Sequence, residues 1–169
     1  MVDVLDSFFD EDEDGKTGYE RSGNRANLDK TAACNLKVAF EGVDLKVHEN
    51  PDKANQGERY CLFNFKILDA LEGNEQDVVK GEVYSAYFTF DAKTRKPSAV
   101  AKETEAFLIL AADIMGESRE MMIRSGKKQA SDFLTTGGDA QIGNEYILMG
   151  EPTGKSGSTT WHRFVAESA

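Results

Sequence analysis

Apolar and polar side chains alternate with a period of two from residue 36 onward, with Leu36, Val38 and Phe40 on one side and Lys37, Ala39 and Glu41 on the other. Gly42 then intervenes, and the apolar positions move to Val43, Leu45 and Val47. A phase slip at a glycine predicts one long strand carrying a β-bulge, the device by which a strand curls around a small barrel. After the turn-rich stretch 49–58, a second strand is predicted from Arg59 to Ala70: Cys61, Phe63, Phe65 and Ile67 form its apolar face, while Tyr60, Asn64 and Lys66 share the other with Leu62 and Leu68. The turn 71–77 leads to a third strand, Val78 to Phe90, rich in aromatic residues.

The period then changes. Residues 91–97 break the strand, and a helix is predicted from Ala99, capped by Ser98, with Val100, Phe107, Ala111, Ile114 and Met115 along one side and Gly116 as its stop. A shorter helical piece is predicted to start at Ser118, carrying Met121, Met122 and Ile123. An irregular segment through Gly138 follows, and residues 144–150 and 159–167 read as two further strands.

Three strands, a helix and two strands, with a bend in the first strand, is the connectivity of the OB-fold. The expectation is therefore a mainly β protein, a five-stranded Greek-key barrel with a helix between strands three and four. In that fold strands two and three, with the loops joining strands one to two and four to five, form the binding face. Residues 34–169 make up this domain. Residues 1–33 lack apolar periodicity and are read as an acidic, largely disordered tail.

Charge sharpens the division. The 169 residues carry a net charge of −10. Eight acidic residues and one lysine fall within residues 1–20, giving −7, so residues 21–169 hold the other 22 acidic and 19 basic residues, giving −3. The acidity is mostly a tail, and the remaining chain is compatible with a polyanionic partner. No apolar run reaches the roughly 18 residues of a membrane span, and the start lacks the basic and apolar regions of a secretory signal. A cytoplasmic address is expected, in a host cell if the protein is phage-encoded. Cys34 and Cys61 lie in strand-like segments without neighbours at metal-ligand spacing, which predicts buried thiols.

Two motifs fail on inspection. Gly154, Lys155 and Ser156 imitate a phosphate-binding loop, but its first glycine belongs at position 149, where Met149 stands, and no helix-forming sequence follows. Asp10, Asp12, Asp14 and Gly15 imitate a calcium loop, but its twelfth position is Arg21 instead of a glutamate. His48 and His162 sit in no nucleophile or metal motif. The sequence points to no enzyme, no cofactor and no metal.

What remains is an aromatic and basic set. If Lys80 and Glu82 point outward, strand parity sends Tyr84 and Phe88 outward; Arg163 brings Trp161 and Lys66 brings Tyr60 by the same test. Aromatic faces stack unpaired bases while cations track the phosphates, so Tyr60, Tyr84, Phe88 and Trp161 are expected to stack, and Lys66, Lys93, Arg95, Lys96, Lys155 and Arg163 to meet phosphates. The parity of the third strand turns on Gly81: reversed, it exchanges Tyr84 and Phe88 for Ser85 and Tyr87. Phe63, Phe65 and Phe164 are assigned to the core.

The stretches NLKVAFEGVDLKV, RYCLFNFKILDA, GEVYSAYFTF, ETEAFLILAADIMG, NEYILMGEP and WHRFVAES together resemble phage-encoded single-stranded DNA-binding proteins of the OB-fold type. The resemblance covers about residues 34–167 at the level of pattern. It implies sequence-nonspecific binding of single-stranded DNA during replication or recombination. Such proteins often end in an acidic tail with aromatic residues; here Phe8, Phe9, Asp10, Asp12 and Asp14 lie at the N-terminal end, where they are expected to recruit replication or recombination proteins or to occupy the basic groove. Self-association stays open. The alternatives are a structural or assembly component of a virion, and an acidic inhibitor of a host DNA-binding protein.

Overall fold

The computed structural model describes residues 25–29, 31–54, 56–90, 96–152 and 163–169, with only the backbone of Arg163 and Phe164. It contains β1 (Cys34–Val47), β2 (Arg59–Ala70), β3 (Val83–Thr89), α1 (Pro97–Met115), α2 (Arg119–Ser125), α3 (Lys127–Thr136), a 3-10 turn (Asp139–Gln141), β4 (Glu145–Glu151) and β5 (Arg163–Ser168). All strand pairings are antiparallel, in the order β3-β2-β1-β4-β5.

The bulge predicted at Gly42 is present. Gly42 adopts φ 108°, and the register of β1 against β2 shifts between Phe40 and Val43. A side chain at Gly42 would stand 3.2 Å from the Gly137 carbonyl oxygen. The bulge divides β1: residues 34–39 pair with β4 and, from Leu36 on, with β2 as well, whereas residues 43–47 pair with β2 alone.

Among the described residues, the helices pack on one face of the sheet. There Phe40, Phe63 and Phe133 contact one another at ring-centroid distances of 5.8 to 6.5 Å, and Phe107 meets the edges of Phe63, Phe88 and Phe90. Each such side chain contributes roughly 1.5–3 kcal/mol through burial, so this aromatic cluster sets the orientation of α1 and α3. Tyr146 donates its hydroxyl to the Ile114 carbonyl at 2.7 Å and holds the last turn of α1 against β4.

The sheet does not close into the expected barrel. β3 and β5 are its outer strands, and α1 spans the two edges. Glu103 accepts from the Thr89 backbone N–H on β3. Asp113, ten positions on and so about 15 Å along the helix, accepts from the Ala166 backbone N–H on β5 at 3.0 Å. Arg119 holds the same carboxylate through two hydrogen bonds, of 2.7 and 3.0 Å. Carboxylates thus take edge donors that a fifth pairing, of β3 with β5, would have used.

β3 starts at Val83 instead of Val78, and three further features differ from the sequence expectation. The domain starts before residue 34: Ala26 and Leu28 are buried in the core, Arg25 bridges Val83, and Gln76 clamps Asp29 and Ala32 through three hydrogen bonds of 2.6 to 2.8 Å. α1 begins at Pro97 instead of after a Ser98 cap, because proline is pre-shaped for the first helical turn and needs no N–H there. The segment expected to be irregular contains α3, which follows α2 directly; a side chain at Gly126 would lie 2.5 Å from the Met122 Cα, so only glycine allows this junction. The Ser118 cap of α2 and the left-handed Gly116 stop of α1 are as expected. No helix among the described residues is long and apolar enough to cross a membrane.

Candidate nucleic-acid interface

The face of β1, β2 and β3 turned away from the helices is built by strand parity from both sides of the bulge. After Gly42, Val43 and Leu45 face the helices, so Asp44 and Lys46 face the other way, paired with Leu62 and Tyr60. β3 continues each row: Thr89 lies beside Tyr60, Tyr87 beside Leu62, Ser85 beside Asn64 and Val83 beside Lys66. From Tyr60 to Lys66 this face extends about 20 Å along β2.

Its floor is buried: Tyr60, Leu62, Val83 and Thr89 have almost no exposure, Asn64 little more, and His48 just beyond β1 joins them. The His48 ring stacks on Tyr60 with centroids 4.3 Å apart, and Tyr60 meets Tyr87 at 5.1 Å. The Tyr87 hydroxyl accepts from Thr89 Oγ1 at 3.0 Å and lies 3.1 Å from His48 Nε2. A second chain crosses three strands: Ser85 Oγ donates to Asn64 Oδ1 at 2.7 Å, and Asn64 Nδ2 donates to Asp44 Oδ2 at 2.9 Å. Above this floor Asp44, Lys46, Lys66, Ser85 and Tyr87 are half-buried and present polar, aromatic and cationic groups.

These positions correct the expected stacking set. Tyr84 and Phe88 are buried on the helix side, where Tyr84 pairs with Phe65 and Phe88 meets Phe63 and Phe107 edge-on. Gly81, at φ 94°, interrupts the alternation, and β3 begins only at Val83, so Lys80 and Glu82 both precede the strand and their outward parity does not carry into it. The reversed parity holds, and Ser85 and Tyr87 take the outward places. Tyr60 does lie on the expected face, but as buried support for Tyr87 and His48. Lys66 is on this face and half-buried, and Lys96 is exposed immediately before α1.

Lys93, Arg95, Lys155 and Trp161, and the tail residues Phe8, Phe9, Asp10, Asp12 and Asp14, lie outside the described residues. Arg163 is described in backbone only, paired with Glu151.

Sequence reasoning placed Asn64 on one face with Tyr60 and Lys66 but missed Asp44, Lys46 and His48 as parts of the same surface. The signal was there for these three, since Val43, Leu45 and Val47 define the helix side and leave the even positions to the other.

Both cysteines are free and buried. Burial, reinforced by the negative charges of Glu103 and Asp44, holds the Cys61 thiol well above its usual pKa and therefore protonated. Among the described residues no group of three or more His, Cys, Asp or Glu side chains is placed to hold a metal ion. No protein-family model matches the chain, and no curated protein and no solved structure matches it either.

Proposed function

We propose that this chain binds single-stranded DNA without strong sequence preference, through the face of β1, β2 and β3 turned away from α1, α2 and α3, and acts in replication or recombination without catalysing a reaction. One observation carries the proposal. Tyr87 stands half-exposed on a buried floor, fixed by Thr89, His48 and Tyr60, with Lys46 and Lys66 on the same face. A pre-ordered aromatic ring stacks a base with little loss of side-chain entropy, and lysines on the same surface attract the phosphates.

The element order supports reading the domain as an open OB-type fold. β1, β2 and β3 form a meander, the helical segment connects β3 to β4, and β4 and β5 return beside β1. In an OB fold the loops joining β1 to β2 and β4 to β5 border the binding face. Lys66 and Lys96 keep their proposed phosphate roles. Lys93, Arg95, Lys155 and Arg163 keep theirs, and Trp161 its stacking role, on sequence grounds. Tyr87 takes over the stacking role expected of Tyr84 and Phe88.

The test is fluorescence anisotropy of a labelled mixed-sequence 30-mer, single-stranded and then duplex, at low and moderate salt. Salt-sensitive binding that favours the single strand is expected, with Tyr87→Ala weakening it about tenfold or more, as loss of one stacked base does. Absence of binding at low salt ends the proposal. It then leaves the assembly reading, which the half-exposed Leu45 and Val47 on the helix side of β1 favour.

A further inference from the structure

The polar chain beside Tyr87 has a direction. The Asp44 carboxylate can only accept, so Asn64 turns its Nδ2 to Asp44 Oδ2 and its Oδ1 to Ser85, whose Oγ donates to it. Asp44 Oδ1 accepts no hydrogen bond among the described residues, and the side chain is half-buried in the row that contains Tyr87. A carboxylate so oriented is an unusual group on a surface meant for a polyanion. It adds repulsion, and its remaining capacity is purely that of an acceptor.

We propose that Asp44 selects among bases: held by Asn64 and Ser85, it accepts a hydrogen bond from the exocyclic amine of a base stacked on Tyr87, and so favours cytosine over thymine. The inference rests on the reading of this face as a single-stranded DNA site. Cytosine presents an N4 amine donor where thymine presents the O4 acceptor. In an unpaired strand that edge is free to be read. Thymine O4 would face the Asp44 carboxylate with two acceptors opposed and no proton between them. The preference is modest and local, one base position within a face that otherwise reads backbone and ring surface.

The experiment compares 15-mers of deoxycytidine, thymidine and deoxyuridine at pH 8 and low salt, using the full chain. The deoxyuridine strand keeps the O4 acceptor but lacks the thymine methyl, and so separates the two differences. Wild type is expected to bind oligo(dC) about fivefold more tightly than either other strand, the scale of one specific base contact. In Asp44→Asn the side-chain oxygen still accepts from Asn64 while its new amine is offered outward. The preference should then vanish or invert toward oligo(dT).

Ser85→Ala, which releases Asn64, should reduce the wild-type ratio without inverting it. Each ratio compares two ligands on one preparation, so a partly unfolded variant does not disturb it. Equal affinities in wild type, or a cytosine preference unchanged in Asp44→Asn, overturn the role of Asp44 while leaving the binding face intact. Failure to bind any of the three strands overturns the face itself, and Asp44 selection with it.

Discussion

Asp113 ties three elements together through one carboxylate. Its side chain is buried, it holds Arg119 at the start of α2, and it takes the Ala166 N–H at the edge of β5. Arg119 is exposed enough to rehydrate if released, whereas the Ala166 N–H would lose its partner. Asp113→Ala is therefore expected to cost about 2 kcal/mol, the middle of the range for a buried donor left unsatisfied, and Arg119→Ala about half as much. Urea unfolding of the two variants checks the order.

Cys61 gives a pH prediction. An unfolded chain releases a thiol proton near pH 8.5, whereas the folded chain keeps the Cys61 proton because its pKa is raised. Cys61 thus contributes stability below that pH and loses it as pH rises towards the folded value. The expected fall is up to about 1.4 kcal/mol per pH unit above about 8.5. Unfolding midpoints between pH 7 and 10, compared with those of Cys61→Ala, measure it. Equal pH slopes in the two proteins would show that the thiol is not the cause.

At the scale of elements, the left-handed glycines after α3 separate backbone strain from packing. Gly138 and Gly143 have φ of 68° and 94°, but a side chain at Gly138 would stand 2.8 Å from the Phe40 ring, whereas one at Gly143 would meet nothing within 4 Å. Gly143→Ala should cost about 1 kcal/mol from conformation alone. Gly138→Ala should cost about 1–3 kcal/mol more, from overlap with Phe40 and Phe133. Thermal melts of both variants give the difference.

The same region shows what was legible in the sequence. β2 matches its predicted range, and the β1 bulge was announced by a phase slip at Gly42, because a two-residue period reports burial directly. α3 was not legible: among its ten residues only Ala130 and Phe133 are buried, too few to show a helical period. β3 was legible as a strand but not in its facing, since parity is a relation between neighbours and Gly81 interrupts it. Edge closure by Glu103 and Asp113 is a meeting of residues far apart in the chain, which no local period reports.

For the whole molecule, the folded body starts by residue 25, and a chain beginning at residue 34 loses Ala26 and Leu28 from the core together with the Gln76 clamp. Burial of a leucine alone contributes about 1.5–3 kcal/mol. Starting at 34 should therefore destabilise the domain by at least about 3 kcal/mol relative to starting at 25, as urea midpoints would report. The shorter chain is the wrong one in which to study binding.

The central claim, that the face of β1, β2 and β3 turned away from α1, α2 and α3 carries single-stranded DNA, is most directly tested by amide chemical-shift mapping. The full chain would be titrated with an unlabelled 12-mer. The account predicts the largest shifts at residues 44–48, 60–66 and 85–89, with little change along α2 and α3. Shifts concentrated instead around Arg124, Lys127 and Lys128, or none at saturating DNA, would contradict it.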